Sequence, residues 1–179
     1  MSTEDSTAQA ARSKHKLPAE LPIEGPTAII DTREQTPVDL APMRSIRGTL
    51  STGDYSIVGL EHVIAIERKS AGDMLGCIGG DRERFDREIQ RLLAYPVRAT
   101  VIEAGWQYFE RGEWRGQVTP AAAIGSLLGW IAAGVPILMA DDHERAGRYI
   151  GRLLFTAARR RYRETRALLA HMEGAKCTK

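Results

Sequence analysis

Five acidic and three basic side chains fall in four short segments, each at or beside the end of an apolar run: Asp31-Thr32-Arg33-Glu34, Gly53-Asp54-Tyr55, Glu67-Arg68-Lys69 and Asp73. Side chains alternate along a strand, so Glu67 and Lys69 project from one face and Arg68 from the other. Two carboxylates, here Asp54 and Glu67, can hold a hard divalent cation, and a neighbouring ammonium can orient an attacking hydroxide. Metal-assisted phosphodiester hydrolysis requires this combination of groups.

The alternative for Glu67 and Lys69 is an exposed ion pair, which is common for two charges at this spacing. Their position favours a functional role, because residues 63–66 are apolar on both faces and are expected to form a covered, central strand. Charges at the end of such a strand are either paired or functional.

Apolar periodicity predicts the elements that must position these side chains. Strands are expected at residues 27–31, 47–50, 55–58, 63–69, 99–103 and 136–139, and helices at 81–94, from 119, and from 141 or 142 into the 160s or 170s. Because strands alternate with helices, we expect an α/β fold with a mostly parallel or mixed sheet. The glycine-rich stretch 76–82 lacks the Lys-Ser/Thr of a phosphate-binding loop, so no nucleoside triphosphate is expected there, and we predict a flexible loop beside the site.

The composition, 43% apolar and 27% charged residues, indicates a globular domain rather than a disordered chain, a collagen-like fibre or a bare coiled coil. Residues 1–26 lack periodicity and are expected to form a disordered leader. No apolar run has the roughly 20 residues of a membrane span, and the first residues lack the features of a secretory signal. The two cysteines lie far apart in the sequence, which favours reduced thiols and a cytoplasm, with a bacterium or a phage-infected cell suspected.

The net charge of +2 is unevenly distributed along the chain. From residue 143 onwards there are ten Lys and Arg against three Glu, so the predicted last helix, within residues 141–179, is strongly basic. A basic segment of this kind is compatible with a polyanionic partner. The four histidines are scattered and are assigned no role.

The spacing Gly53-Asp54, twelve residues, Glu67-Arg68-Lys69, three residues and Asp73 resembles the GD…ERKxxxD signature of the XPF-type nuclease domain, a branch of the restriction-endonuclease-like fold. The resemblance extends over about residues 27–139. Other matching segments are Asp31-Thr32-Arg33-Glu34, Arg84-Phe85, Arg91-Leu92 and Ile102-Glu103. It implies that residues 27–140 form a restriction-endonuclease-like core, a central mixed sheet flanked by helices, and that the long basic helix packs on this core or extends it.

The resemblance also implies roles for individual residues. Asp54 and Glu67 would be the principal ligands of Mg²⁺ or Mn²⁺, with Asp31 joining them directly or through water. Lys69 would assist the nucleophile, and Arg68, Asp73 and Glu34 would be needed for activity or for holding the site. We expect DNA contacts from Arg33, Arg82, Arg84, Arg159, Arg160 and Arg161.

Several of these residues keep a structural alternative. Ser70 and Asp73 have the spacing of a capping box, so Asp73 could instead begin a helix. Arg68 could pair with Asp73 or Glu34 as a brace, and Glu34 could form a salt bridge rather than support the metal. The helical arginines could form a solvated face of ion pairs, and the aromatic side chains at 106–114 either pack on the core or stack on bases.

These expectations predict a divalent-metal-dependent DNA endonuclease, with a possible selectivity for branched or flapped DNA and a setting in repair or recombination. The alternatives are a catalytically silent DNA-binding or scaffold protein of the same fold, and a sequence-specific restriction-type enzyme. By analogy with the family we expect a homodimer. In this family tandem helix-hairpin-helix modules usually follow the nuclease domain. About 40 residues follow Ala140 here and most are predicted to form one basic helix, so we expect this helix or another chain to supply DNA affinity in place of such modules.

Overall fold

The computed structural model describes residues 18–175. The strands are β1 (Thr27–Asp31), β2 (Arg44–Gly48), β3 (Tyr55–Ile57), β4 (Ile64–Ser70), β5 (Val97–Glu103) and β6 (Ile137–Met139). The helices are α1 (Ala71–Ile78), α2 (Arg82–Leu93), α3 (Trp106–Arg111), α4 (Pro120–Ala132) and α5 (His143–Ala175). The predicted alternation of strands and helices is therefore present.

The strands form one six-stranded mixed sheet in the order β2-β1-β3-β4-β5-β6. Strand β3 is antiparallel to both of its neighbours, β1 and β4. The remaining pairs, β1 with β2, β4 with β5 and β5 with β6, are parallel. The predicted α/β fold with a mixed sheet is confirmed, and β4, the strand that carries Glu67 and Lys69, lies in its middle.

Helices cover both faces of the sheet. On one face, α5 packs Ala146, Ile150 and Leu154 against the strands, and all three are fully buried. On the other face, α1 to α4 supply a second core. Its largest fully buried side chains are Phe85, Phe109, Met74, Leu92, Ile102 and Leu127. A strand presents alternate residues to opposite faces of the sheet. Alternate residues of β4 therefore contact α5 on one face and α1 to α4 on the other.

Local structure departs from the sequence-based prediction in three places. Strand β2 occupies residues 44–48 rather than 47–50, since it is an edge strand whose exposed residues carry no apolar run. Helix α1 continues to Ile78, because Met74, Cys77 and Ile78 are buried, so the stretch 76–82 is only partly a loop. Residues 106–111 form the short helix α3, whose buried Phe109 places part of the aromatic segment in the core.

The end of the predicted leader contacts the last helix. The Tyr162 hydroxyl donates a hydrogen bond to the carbonyl oxygen of Pro18 at 2.6 Å, and Arg163 forms an ion pair with Glu20 at 2.8 Å. Residues 18–26 therefore have a defined course, while residues 1–17 of the predicted leader lie outside the described residues, as do 176–179 of the predicted C-terminal segment. None of the helices formed by residues 18–175 combines the length and the apolarity needed to cross a bilayer.

Candidate active site

Three carboxylates occupy neighbouring positions on adjacent strands. The Asp31 N–H donates to the Asp54 carbonyl oxygen, and the Asp54 N–H donates to the Ile66 carbonyl oxygen, each at 2.8 Å. The first bond continues the register that pairs Ile30 with Tyr55. The second joins Asp54 to Ile66, the register partner of Tyr55, so the pairing with β4 shifts by one residue at Asp54. Residues directly opposite each other on antiparallel strands project from the same face. Asp31 and Asp54 therefore lie side by side. The Asp54 carboxylate also accepts the Arg68 N–H and lines the same cleft as Lys69, so it lies close to Glu67 on the face covered by α1 to α4.

A glycine sets the position of Asp54. Gly53 has a φ of +77°, a left-handed conformation that a residue with a Cβ rarely adopts. A Cβ at this position would lie 2.9 Å from the carbonyl oxygen of Ile66. Glycine therefore lets the chain turn tightly against β4 and place the Asp54 carboxylate beside that strand.

Lys69 projects from the same face as Glu67, as the alternation predicted. Its ammonium Nζ lies 2.5 Å from Glu67 Oε1 and 3.5 Å from Glu88 Oε2 on α2. It also lies 5.4 Å from the centre of the Phe85 ring. Glu67 is only 3% exposed, so this ion pair is shielded from water. The ammonium is thus held between two carboxylates over an aromatic ring.

Arg68 projects from the opposite face and connects three elements. Its Nε donates to Glu34 Oε2 at 2.9 Å, its Nη2 to Glu34 Oε1 at 3.0 Å, and its Nη1 to Glu103 Oε1 at 2.6 Å. His143 Nδ1, at the start of α5, lies 2.6 Å from the same Glu103 oxygen. The brace that the sequence left open for Arg68 is therefore formed with Glu34 and Glu103.

Asp31 accepts hydrogen bonds on both carboxylate oxygens. Arg33 donates to Oδ1 through Nε at 2.7 Å and through its backbone N–H at 2.9 Å, and Leu50 N–H donates to Oδ2 at 2.6 Å. Burial opposes ionisation of Asp31, but the hydrogen bonds from Arg33 and Leu50 outweigh it and lower its pKa. Because its oxygens are occupied, Asp31 fits indirect support of a metal better than direct ligation.

The pKa values of Asp54 and Glu67 are raised, whereas that of Asp31 is lowered. Burial raises the pKa of Asp54 to about 6, against a favourable hydrogen bond from the Arg68 N–H and the attraction of Lys69. Burial, together with repulsion from Asp54, raises the pKa of Glu67 to about 7, with Lys69 opposing the rise. Both carboxyl groups would be more stable with a compensating positive charge.

The carboxylate oxygens of Asp54 and Glu67 supply part of the ligand set that a hard divalent cation needs. Arg68 N–H engages Asp54 Oδ2 at 2.8 Å and Lys69 engages Glu67 Oε1, so the structure gives the second oxygen of each carboxylate no hydrogen bond from the described residues. Carboxylate oxygen is the ligand that Mg²⁺ and Mn²⁺ prefer. Within residues 18–175, no three His, Cys, Asp or Glu side chains are already grouped as a metal cluster. The chain therefore offers two protein carboxylates, and further ligands would have to come from elsewhere.

A cleft of about 480 Å³ opens beside these groups and is lined by both acidic and basic side chains. The predicted site residues that line it are Arg33, Glu34, Asp54, Arg68, Lys69, Asp73 and Arg84. Asp73 also forms the capping box: its N–H donates to Ser70 Oγ at 3.1 Å, and the Ser70 hydroxyl donates to Asp73 Oδ2 at 2.7 Å. Asp73 thus lies at the cleft and fixes the start of α1.

The predicted DNA-contacting arginines do not all lie together. Arg33 and Arg84 line the cleft with largely exposed side chains, although they pair with Asp31 and Asp81. Arg82 instead points to α4, where it donates to Ser126 Oγ at 2.7 Å and lies over the Trp130 ring. The remaining three are on α5, which packs on the other face of the sheet from Glu67. These are Arg159, which lies over Phe155, and Arg160 and Arg161, which pair with Glu164.

Sequence analysis missed several residues of this region. Glu88 received no role, although it lies three residues after the buried Phe85 and so on nearly the same side of α2. His143 received no role, because its partner Glu103 is 40 residues away in the sequence. Tyr55 accepts a hydrogen bond from Val38 N–H and donates one to Glu34, which its apolar neighbours did not indicate.

The sheet order, the two helical layers and the carboxylates at the middle strands define a mixed α/β domain with a candidate acidic site. Comparison with family models matches the ERCC4 domain over residues 30–153. The chain therefore belongs to the ERCC4 domain family, and the predicted resemblance to the XPF-type nuclease domain is confirmed at the level of the family. The match continues past residue 140, the predicted end of the nuclease domain, into α5.

Solved structures of XPF from Aeropyrum pernix share this fold. One matches with a TM-score of 0.60 at 21% identity, and covers 75% of this chain and 62% of that one. A second, described as a complex with DNA, matches with a TM-score of 0.58 at 19% identity, and covers 74% of this chain and 65% of that one. This chain thus spans less than two thirds of either, and the likeness confirms the restriction-endonuclease-like fold. Among curated proteins no match is found.

Proposed function

We propose that this protein is a divalent-metal-dependent DNA endonuclease that hydrolyses phosphodiester bonds. The observation that carries the proposal is the position of two carboxylates at the middle of the sheet, the half-buried Asp54 and the buried Glu67, with the Lys69 ammonium in contact with Glu67. Membership of the ERCC4 domain family and the likeness to an XPF structure in complex with DNA support DNA as the substrate.

Each residue has a role that follows from its contacts. Asp54 and Glu67 would hold Mg²⁺ or Mn²⁺ through the oxygens that the chain leaves free. When bound, such a cation lowers the pKa of a water molecule and neutralises charge on the phosphate. Lys69 would orient the nucleophile, and Asp31 would hold Arg33 at the edge of the cleft. Arg33 and Arg84, both exposed there, would contact the DNA backbone.

Arg68 and Asp73 would hold the site rather than react. Arg68 ties β4 to Glu34 in the loop after β1 and to Glu103 at the end of β5. Asp73 fixes the start of α1, which forms one wall of the cleft. Arg159, Arg160 and Arg161 would give additional DNA affinity only if the DNA also reaches α5.

Cleavage of plasmid and forked DNA with Mg²⁺ or Mn²⁺, with and without a chelator, tests the proposal. We expect wild-type protein to cut in either metal and the chelator to stop it. Glu67→Gln should not cut but should still retard DNA in a gel, while the matched change Glu83→Gln, at an exposed position of α2, should cut normally. DNA binding without cleavage by the wild type would instead favour the catalytically silent alternative, and cuts at fixed base sequences the restriction-type alternative.

Three finer features belong to the same proposal. We expect a preference for branched or flapped DNA, a homodimer in solution, and a cytoplasmic setting in a bacterium or a phage-infected cell. Comparing rates on fork, flap and linear duplexes tests the first. Light scattering at micromolar concentration tests the second, and a monomer there would count against it.

A further inference from the structure

Two buried polar atoms flank the Glu67–Lys69 ion pair without a hydrogen bond of their own. Among the side chains that the structure describes, the buried nitrogen and oxygen atoms without a partner are Glu88 Oε2 and Thr100 Oγ1. Thr100 is the register partner of Glu67 on β5 and is fully buried. Glu88 Oε2 lies 3.5 Å from the Lys69 ammonium. Buried polar groups normally find a partner, so both oxygens are available to a further hydrogen bond beside this pair.

A second arrangement of the pair follows from the contacts of Lys69. Its ammonium lies closest to Glu67, the residue proposed above to bind a divalent cation. If Glu67 serves as a ligand, its charge is shared with the cation, and Lys69 would be left as a buried, poorly compensated charge. Glu88 is the other carboxylate within reach, and its oxygen has no competing hydrogen bond.

We propose that Glu88 is a positioning residue that takes up the Lys69 ammonium when Glu67 ligates the cation; this rests on the proposed metal-dependent function. Glu88 and Phe85 are one turn apart on α2, and both face the ammonium. Helix α2 therefore supplies a carboxylate and an aromatic ring that keep Lys69 charged and beside the cleft. Glu67 thus becomes available to the metal while Lys69 keeps an ion-pair partner.

Titration of the protein with Mn²⁺ by calorimetry, in the absence of DNA, tests this role. Glu88→Gln keeps the shape and removes the charge, so Lys69 should remain on Glu67 and compete with the metal. We expect Mn²⁺ affinity to fall about tenfold, the lower end of what losing a supporting partner costs a metal site. Glu83→Gln, the same change at an exposed position of α2, should leave the affinity within about twofold. Glu88→Asp should recover most of the loss, whereas a purely steric role predicts that Gln is harmless and Asp is not.

A second background separates action through Lys69 from direct action on the metal. In Lys69→Met the competitor is gone, and adding Glu88→Gln should change Mn²⁺ affinity by no more than about twofold. A tenfold loss that persists in this background would overturn the proposal, because Glu88 would then act on the metal itself. Urea unfolding without Mn²⁺ confirms that each variant is folded.

The outcomes also distinguish this inference from the proposed function. Wild-type protein that binds Mn²⁺ and cleaves DNA while Glu88→Gln binds Mn²⁺ equally well would remove the role of Glu88 and leave the nuclease intact. Wild-type protein that neither binds Mn²⁺ nor cleaves DNA would remove both.

Discussion

The Asp54 carboxylate accepts a hydrogen bond at 2.8 Å from the backbone N–H of Arg68, the residue after Glu67, and so lies close to Glu67. The backbone itself therefore sets the distance between the two acids. Within the group formed by these two, Glu88 and Lys69, three carboxylates accompany one ammonium. The buried excess of negative charge is relieved either by protons or by a divalent cation, and the two compete for the same oxygens.

This competition predicts that metal binding depends on pH. Because the pKa values of Asp54 and Glu67 are raised to about 6 and about 7, both groups must lose protons before they can act as ligands. We expect Mn²⁺ affinity to fall about tenfold as the pH is lowered from 8 to 6. Calorimetry in two buffers of different ionisation enthalpy should show more proton release near pH 6.5 than at pH 8. Equal affinity at both pH values would contradict the raised pKa values.

Because desolvation raises the pKa of Asp54, its charged form is predicted to destabilise the fold, and Asp54→Asn should remove this effect. The pKa of Asp54 is higher in the folded state than in the unfolded state, so its contribution to stability is present at low pH and is lost as the pH rises through about 6. Asparagine keeps an oxygen to accept the Arg68 N–H and carries no charge. In urea unfolding with a chelator, the stability of Asp54→Asn relative to wild type should increase by about 1–2 kcal/mol between pH 5 and 8. A stability difference that does not change with pH would argue against a raised pKa of Asp54.

The ion pairs of Arg68 should contribute much more to stability than those of an exposed arginine. Its side chain is 9% exposed and contacts Glu34 and Glu103, so Arg68→Met leaves Glu34 without an ion pair and Glu103 with only its contact to His143. We expect a loss of about 3–5 kcal/mol in the free energy of unfolding. Arg84→Met, which removes an exposed pair with Asp81, should cost about 1 kcal/mol or less. Equal losses in the two variants would show that the network does not brace the sheet.

Much of the fold and part of the site follow from local patterns. The strand runs that end in Asp31 and Lys69 were located because apolar periodicity and strand alternation are properties of neighbouring residues. The shared face of Glu67 and Lys69, with Arg68 opposite, follows from the same alternation. The helix predicted from residue 119 is present as α4, and the side chain of Thr119 caps it by accepting the Ala122 N–H.

The contacts that complete the site are long-range and have no local signal. Glu88 meets Lys69 only because α2 packs over β4, and its alternating charged neighbours resemble a solvated face. The link from Arg68 through Glu103 to His143 joins residues 35 and 40 positions apart. The glycines at 76–80 suggested a loop, but burial of Met74 and Ile78 extends α1, so tertiary packing overrides the weak helix propensity of glycine.

Substitutions of Ser70 and Asp73 should show whether these residues serve to cap α1 or whether the negative charge of Asp73 is needed at the cleft. Ser70→Ala removes the side chain that accepts the Asp73 N–H, and we expect about 1 kcal/mol less stability. Asp73→Asn retains an oxygen for the Ser70 hydroxyl, so its stability should stay close to that of wild type. Its cleavage rate should stay within a few-fold of the wild-type rate. Rates on forked DNA, measured well below the melting temperature, make the comparison. A loss of cleavage by Asp73→Asn comparable to that of Glu67→Gln would mean that the charge itself is required.

Two glycines of α5 should respond in opposite directions to the same substitution. A Cβ at Gly147 would lie 2.6 Å from the Asp39 carbonyl oxygen and 3.3 Å from Val38 Cβ, whereas one at Gly151 would meet Leu40 atoms at an ordinary 3.8 Å. Gly147→Ala should therefore lose about 1–3 kcal/mol through steric strain, although alanine favours the helix. Gly151→Ala keeps only the helix preference and should gain up to about 1 kcal/mol.

Thermal unfolding of Gly147→Ala and Gly151→Ala measures the two effects, and the melting temperature should shift by roughly 2–4 °C per kcal/mol. The backbone at Val38 also donates to the Tyr55 hydroxyl, which in turn contacts Glu34. Strain at Gly147 should therefore reach the loop that holds Arg68, and Gly147→Ala should slow cleavage more than Gly151→Ala at a temperature where both are folded. If Gly147→Ala were as stable as wild type, the close packing of this loop on α5 would be wrong.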